Sequence, residues 1–80
     1  MKLTVLIRPK ADILDPQGDA VRASLAHLGF AVTGARVGRL VDLEIAANDE
    51  AAARYEVDRM CAELLANPLI ESFEIVTAPA

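Results

Sequence analysis

The stretch that most constrains this chain is Asn48–Glu71, NDEAAARYEVDRMCAELLANPLIE, which reads as one amphipathic helix, a hard stop and the entry to a last strand. With Asn48 or Asp49 as N-cap, Ala53, Val57, Met60, Cys61 and Leu64 recur at three- and four-residue steps. At about 100° per residue they share one narrow arc, the stripe a helix needs to lie on a sheet. Asp49 and Glu50 fall in the first turn, where carboxylates meet the positive end of the helix dipole. Asn67-Pro68 ends the helix, because proline supplies no N–H and forces the residue before it out of the α region. The rest of the chain must supply the surface this helix covers.

Leu3–Arg8 predicts a strand with Leu3, Val5 and Ile7 on one face and Thr4, Leu6 and Arg8 on the other. Pro9 closes it, and Lys10–Leu14 is a connector. Asp15-Pro16 starts a helix, with Asp15 as cap and Pro16 at a position whose N–H has no partner in any case. This helix runs to Leu28, with Gly29 just past its end. Val21, Leu25 and Leu28 form its apolar stripe, with Gly18 and Ser24 beside it, while Asp19, Arg22, Ala26 and His27 point away. The extended run that follows reads as two antiparallel strands, Val32–Val37 and Leu40–Ala46, joined at Gly38-Arg39. One long bent strand with a bulge is the competing reading, since Gly34 and Gly38 interrupt it. A final strand covers Ile70–Thr77, ahead of a frayed Ala78-Pro79-Ala80 tail. The order βαββαβ predicts an α+β two-layer sandwich, an antiparallel sheet with two helices on one face, ferredoxin-like or closely related.

A single domain of 80 residues has a marginal core, and one Tyr, two Phe and no Trp cannot thicken it. Yet 54% of the residues are hydrophobic, more than one small core can use, which points to a further buried surface in an oligomer or complex. The sheet face carrying Leu6 and Val76 is likewise too apolar for open water. A net charge of −4 argues against nucleic acid, which demands clustered Lys and Arg. No apolar run approaches the ~20 residues of a membrane span, and a lone Cys61 fits a reducing compartment, so a soluble cytoplasmic chain is expected.

No catalytic constellation emerges. His27 is the only histidine and reads as a solvated side chain on the outer helix face. Cys61 sits in the apolar stripe, where cysteine behaves as a small hydrophobe. Arg8-Pro9-Lys10-Ala11-Asp12 contains no glycine and carries an acid, unlike the phosphate-holding loop of acylphosphatases. Phe73 alone cannot make an RNA-stacking sheet. On the long helix Glu50–Arg54, Arg54–Asp58 and Arg59–Glu63 are i,i+4 pairs on a solvated face. Opposite the core stripe, Ala51, Tyr55, Ala62 and Ala66 form a strip that another backbone could approach, although alanine also simply favours exposed helix.

Three segments together carry a family resemblance: LDPQGDAV from Leu14, ARVGRLVDLEI from Ala35 and MCAELLANPLIESFEI from Met60. Collinear and spanning nearly the whole chain, they resemble the PurS family, the small subunit of multi-subunit phosphoribosylformylglycinamidine synthase. One departure is Arg39, where the family more often has lysine; the charge is kept. The resemblance implies a non-catalytic adaptor in the fourth step of purine biosynthesis. It would bridge a glutaminase subunit (PurQ) that releases ammonia and a synthetase subunit (PurL) that performs the ATP-dependent amination. It implies no catalytic residue in this chain, with ATP, Mg and glutamine used by the complex; the residues themselves offer no cofactor or metal set, and the open apolar sheet face predicts a homodimer or higher homo-oligomer. From exposure and residue type, Arg36, Arg39 and Tyr55 are the expected interface residues. The alternative is a stand-alone ACT-like regulatory module binding small molecules. It shares the βαββαβ order but favours a glycine-rich turn where this chain has the glycine-free Pro9–Asp15.

Overall fold

In the computed structural model, which describes residues 1–77, strand β1 (Lys2–Pro9) lies at the centre of an antiparallel sheet. It is flanked by β2 (Arg39–Glu44) and β3 (Glu71–Thr77) in the order β2-β1-β3. Opposite β1, the register sets Leu3 against Leu43 and Val5 against Val41 on one side, and Val5 against Ile75 and Ile7 against Phe73 on the other. Strand residues alternate faces, so one face gathers Leu3, Val5 and Ile7, all essentially buried. Helix α2 (Glu50–Met60) lies on that face with Ala53, Val57 and Cys61 completely buried. Its cap is Asp49, whose Oδ1 accepts from the Ala52 N–H at 2.7 Å. The α+β class, the antiparallel sheet and the covering helix are those the sequence predicts. The expected Ala78-Pro79-Ala80 tail lies outside the described residues.

The end of α2 departs from the expected phase. Cys61–Leu65 forms a π-helical turn, closed by the Ala66 N–H donating to the Cys61 carbonyl at 3.0 Å. A π turn advances less per residue than an α turn, so the stripe lags behind the 100° pattern. Leu64, expected in the core, is 84% exposed, while Leu65 packs against the core and Ala66 is buried. Ala66 therefore leaves the outer strip, which keeps Ala51, Tyr55 and Ala62 exposed. Among the described ion pairs, Glu50–Arg54 (3.7 Å) and Arg59–Glu63 (3.5 Å) form as expected. The expected Arg54–Asp58 pair does not, because Arg54 turns instead to β3, donating to the Ile75 carbonyl at 3.1 Å and to Thr77 Oγ1 at 3.2 Å.

Helix α1 (Pro16–His27) begins at the predicted Asp15 cap and ends in a Schellman arrangement. Gly29 takes the left-handed φ of 98°, its N–H donates to the Ala26 carbonyl, and the Phe30 N–H reaches back to Leu25. Residues 30–38 then return extended, and the Ala35 carbonyl lies where a Gly18 side chain would stand. This segment holds no sheet ladder, so of the two central strands expected only the second is paired, shortened to Arg39–Glu44. Nor does α1 pack on the sheet beside α2: Gly18 is its one buried residue, and Leu28 in its apolar stripe is 71% exposed. Helix and return segment form an arm. The chain measures 49 × 30 × 13 Å with a radius of gyration of 15.7 Å. A compact domain of this length has a radius of about 12 Å.

Candidate functional site

The three sequence segments that carry the family resemblance meet where the arm joins the sheet. Asp15 does two jobs there. Its Oδ1 accepts the Gly18 N–H (3.0 Å) at the helix start, and its Oδ2 accepts the Val37 N–H (2.8 Å) from the returning segment. Directly after Val37, Gly38 passes so close to β1 that a Cβ there would press into the Ile7 carbonyl oxygen. Arg39 then reaches across to the end of the helical layer. Its Nη2 donates to both carboxylate oxygens of Glu71 (3.0 and 2.9 Å) and to the Leu65 carbonyl (3.0 Å). Glu71 also accepts the Asn67 N–H at 2.8 Å, while the Asn67 side chain accepts from the Leu69 N–H at 3.0 Å. The Asn67-Pro68 stop thus becomes a turn that presents Glu71 to Arg39.

Both carboxylates are held charged. The Val37 amide, and after it the Gly18 amide, hold the Asp15 carboxyl below its ordinary value; the Asn67 amide, and after it Arg39, do the same for Glu71. A carboxyl whose pKa falls on folding stabilises the fold above its unfolded pKa, and that contribution is lost as pH falls through the folded value. Protonation of Asp15 below pH 3.8 is therefore expected to open the arm root. Amide exchange checks this: Val37 should lose protection on acidification before Val5 in the core does. Simultaneous loss at both sites would show that Asp15 does not hold the root.

Beside this junction lies a shallow cavity of about 290 Å³, lined by Leu6, Arg8, Pro9, Arg36, Arg39 and Leu40 among others. Arg8 pairs with Glu74 at 3.5 Å and Arg39 with Glu71 at 2.9 Å. Arg36 donates to the Lys10 carbonyl at 2.6 Å and makes no carboxylate pair among the described residues. Leu40 is 59% exposed, on the sheet face that α2 leaves open. Of the three residues expected at an interface, the structure brings Arg36 and Arg39 together at this cavity. Tyr55 stands apart on the outer face of α2, 68% exposed. The sequence reading missed Leu40 and the structural duty of Arg39, whose partner Glu71 is 32 residues away.

Little here is built for covalent chemistry. Cys61 is buried, and that burial, with Asp58 nearby, pushes its thiol up, away from the reactive thiolate. Among the described residues no three His, Cys, Asp or Glu side chains converge as a metal site.

A family model described as PurS, phosphoribosylformylglycinamidine (FGAM) synthase, matches residues 2–78. The PurS subunit of phosphoribosylformylglycinamidine synthase from Synechocystis is 41% identical over 73 residues, covering 90% of this chain and 71% of that relative. Its counterpart from Methanocaldococcus jannaschii is 36% identical over 75 residues, covering 92% and 90%. The crystal structure of M. jannaschii PurS, a subunit of formylglycinamide ribonucleotide amidotransferase, superposes with a TM-score of 0.83 at 37% identity, covering 94% of this chain and 92% of that one. A chain in the structure of PurLQS from Thermotoga maritima matches with a TM-score of 0.87 at 29% identity, covering 94% and 93%.

Proposed function

The chain belongs to the PurS family, and from that premise we propose that it is the small, non-catalytic subunit of phosphoribosylformylglycinamidine synthase in purine biosynthesis. It bridges the glutaminase and synthetase subunits and supports transfer of ammonia between them; the T. maritima relative sits in a structure named for all three subunits. The observation that carries an adaptor role is surface. The chain exposes 5841 Å². A compact protein of its 8.5 kDa exposes about 4,700 Å². The excess, about 1,100 Å², exceeds the roughly 800 Å² that one partner contributes to a standard interface. On the arm, Leu28 and Phe30 face solvent.

A second copy of the chain covers the arm, giving a homodimer or higher oligomer, and Arg36, Arg39 and Tyr55 serve as contacts with other chains. ATP, magnesium and glutamine are handled by the partner subunits, and the complex works in the cytoplasm. Among the described residues no helix is long and apolar enough to cross a membrane.

Reconstitution tests this. The purified chain is expected to turn over nothing alone, to run above monomer mass, and to restore glutamine-dependent FGAM synthesis when mixed with the other two subunits. Full glutamine-dependent activity in its absence would overturn the adaptor reading, and a monomeric mass would overturn the oligomer.

A further inference from the structure

The cavity beside the arm root has a chemistry of its own. In a chain carrying −4 overall, three of the eight cationic side chains, Arg8, Arg36 and Arg39, line one depression. Its floor is apolar, with Leu6 and Leu40 paired across β1 and β2 on the sheet face that α2 does not cover. Two of the guanidinium groups are already neutralised by Glu74 and Glu71. Arg36 makes no direct carboxylate contact among the described residues: Asp15, whose charge does act on it, spends both oxygens on the Gly18 and Val37 amides.

Resting on the adaptor reading above, we infer that this cavity docks a segment of a partner subunit of the synthase that presents a carboxylate to Arg36 and an apolar side chain to Leu6 and Leu40. Charge complementarity selects an acidic partner, and the apolar floor between the guanidinium groups selects a side chain with alkyl body beside that acid. A free inorganic anion would leave the leucines wet. An arginine with spare donors beside an apolar floor has the composition of an interface hot spot. Its backbone is fixed in advance, because the next residue, Val37, is pinned by Asp15, so little ordering cost falls on binding.

The experiment measures binding of the intact chain to the purified synthetase and glutaminase subunits across a salt series. Variants are Arg36→Glu, Arg36→Gln and, as control, Arg59→Glu on the exposed surface of α2. Wild type and Arg59→Glu should bind alike. Arg36→Glu should bind at least tenfold more weakly and Arg36→Gln less so, both with flatter salt dependence, while homo-oligomer mass and melting temperature stay unchanged. Equal binding by Arg36→Glu and wild type overturns the docking site alone. A drop in homo-oligomer mass instead makes a second copy the occupant and overturns it too. If both Arg36 variants lose melting temperature, Arg36 is a structural residue and the proposal fails. No binding by wild type at all defeats the adaptor reading itself.

Discussion

Val57→Asp is expected to leave the chain unfolded at 25 °C, seen as loss of the cooperative thermal transition and of dispersed amide signals. Val57 is completely buried in the one cluster that ties α2 to β1, alongside Leu3, Val5, Ile7 and Cys61. The substitution forfeits the burial of the valine, worth about 1.5–3 kcal/mol. It also sets a carboxylate, or at best a neutral acid with no partner, into an apolar layer, which costs several kcal/mol more. Domains of this size hold only about 4–12 kcal/mol in all. With the arm contributing little to the core, this one sits toward the low end. A variant that melts like wild type would mean that α2 does not lie on the sheet in this phase.

The second large effect is at a residue that solvent reaches. Gly38→Ala is expected to destabilise the chain by about 1–2 kcal/mol, although Gly38 is exposed. The added methyl would meet the Ile7 carbonyl, backbone that cannot swing aside as a flexible side chain could. Overpacking of this kind costs about 1–3 kcal/mol. Stiffening the unfolded chain returns only about 0.4–1 kcal/mol, so the clash wins. The internal comparison is Gly34→Ala, four residues earlier. Nothing lies within 4 Å of a methyl there and the backbone is not left-handed. That variant should be neutral or slightly stabilised. Thermal melts of the two variants side by side decide it: equal melting temperatures would show that β2 does not crowd β1 at Gly38.

Local chemistry made much of this fold legible. Asp15-Pro16, Gly29 and Asp49 mark helix ends by satisfying or removing orphan backbone groups, and each does so in the structure. The alternation of Leu3, Val5 and Ile7 names the buried face of β1 before its partners are known. Three things were hidden. The stripe of Val21, Leu25 and Leu28 says that α1 should be covered, but periodicity cannot say by what, and among the described residues no element packs over it as α2 packs over the sheet. Residues 30–38 have the composition of a strand, yet a strand needs a neighbour, and none is supplied among the described residues. The π turn leaves no signal in the local residue pattern, and the residue that meets its end, Arg39, lies far away in sequence. The candidate site divides the same way: Arg36 and Arg39 could be picked by type, whereas their meeting with Arg8 and Leu40 depends on strand register.

That π turn makes a further demand on the chain. It acts as a vernier between two parts with incommensurate needs: a helix indexed to the pleats of a sheet, and a polar corner that must arrive opposite a particular arginine. The widened loop of backbone absorbs the mismatch by taking up one residue more than a regular turn over nearly the same rotation. Deleting one residue of Cys61–Leu65 is expected to regularise the helix and leave Asn67 and Glu71 in nearly the same phase, whereas deleting one residue from the regular turns of α2 would swing them past Arg39 and unfasten the corner where helix, sheet and arm are joined.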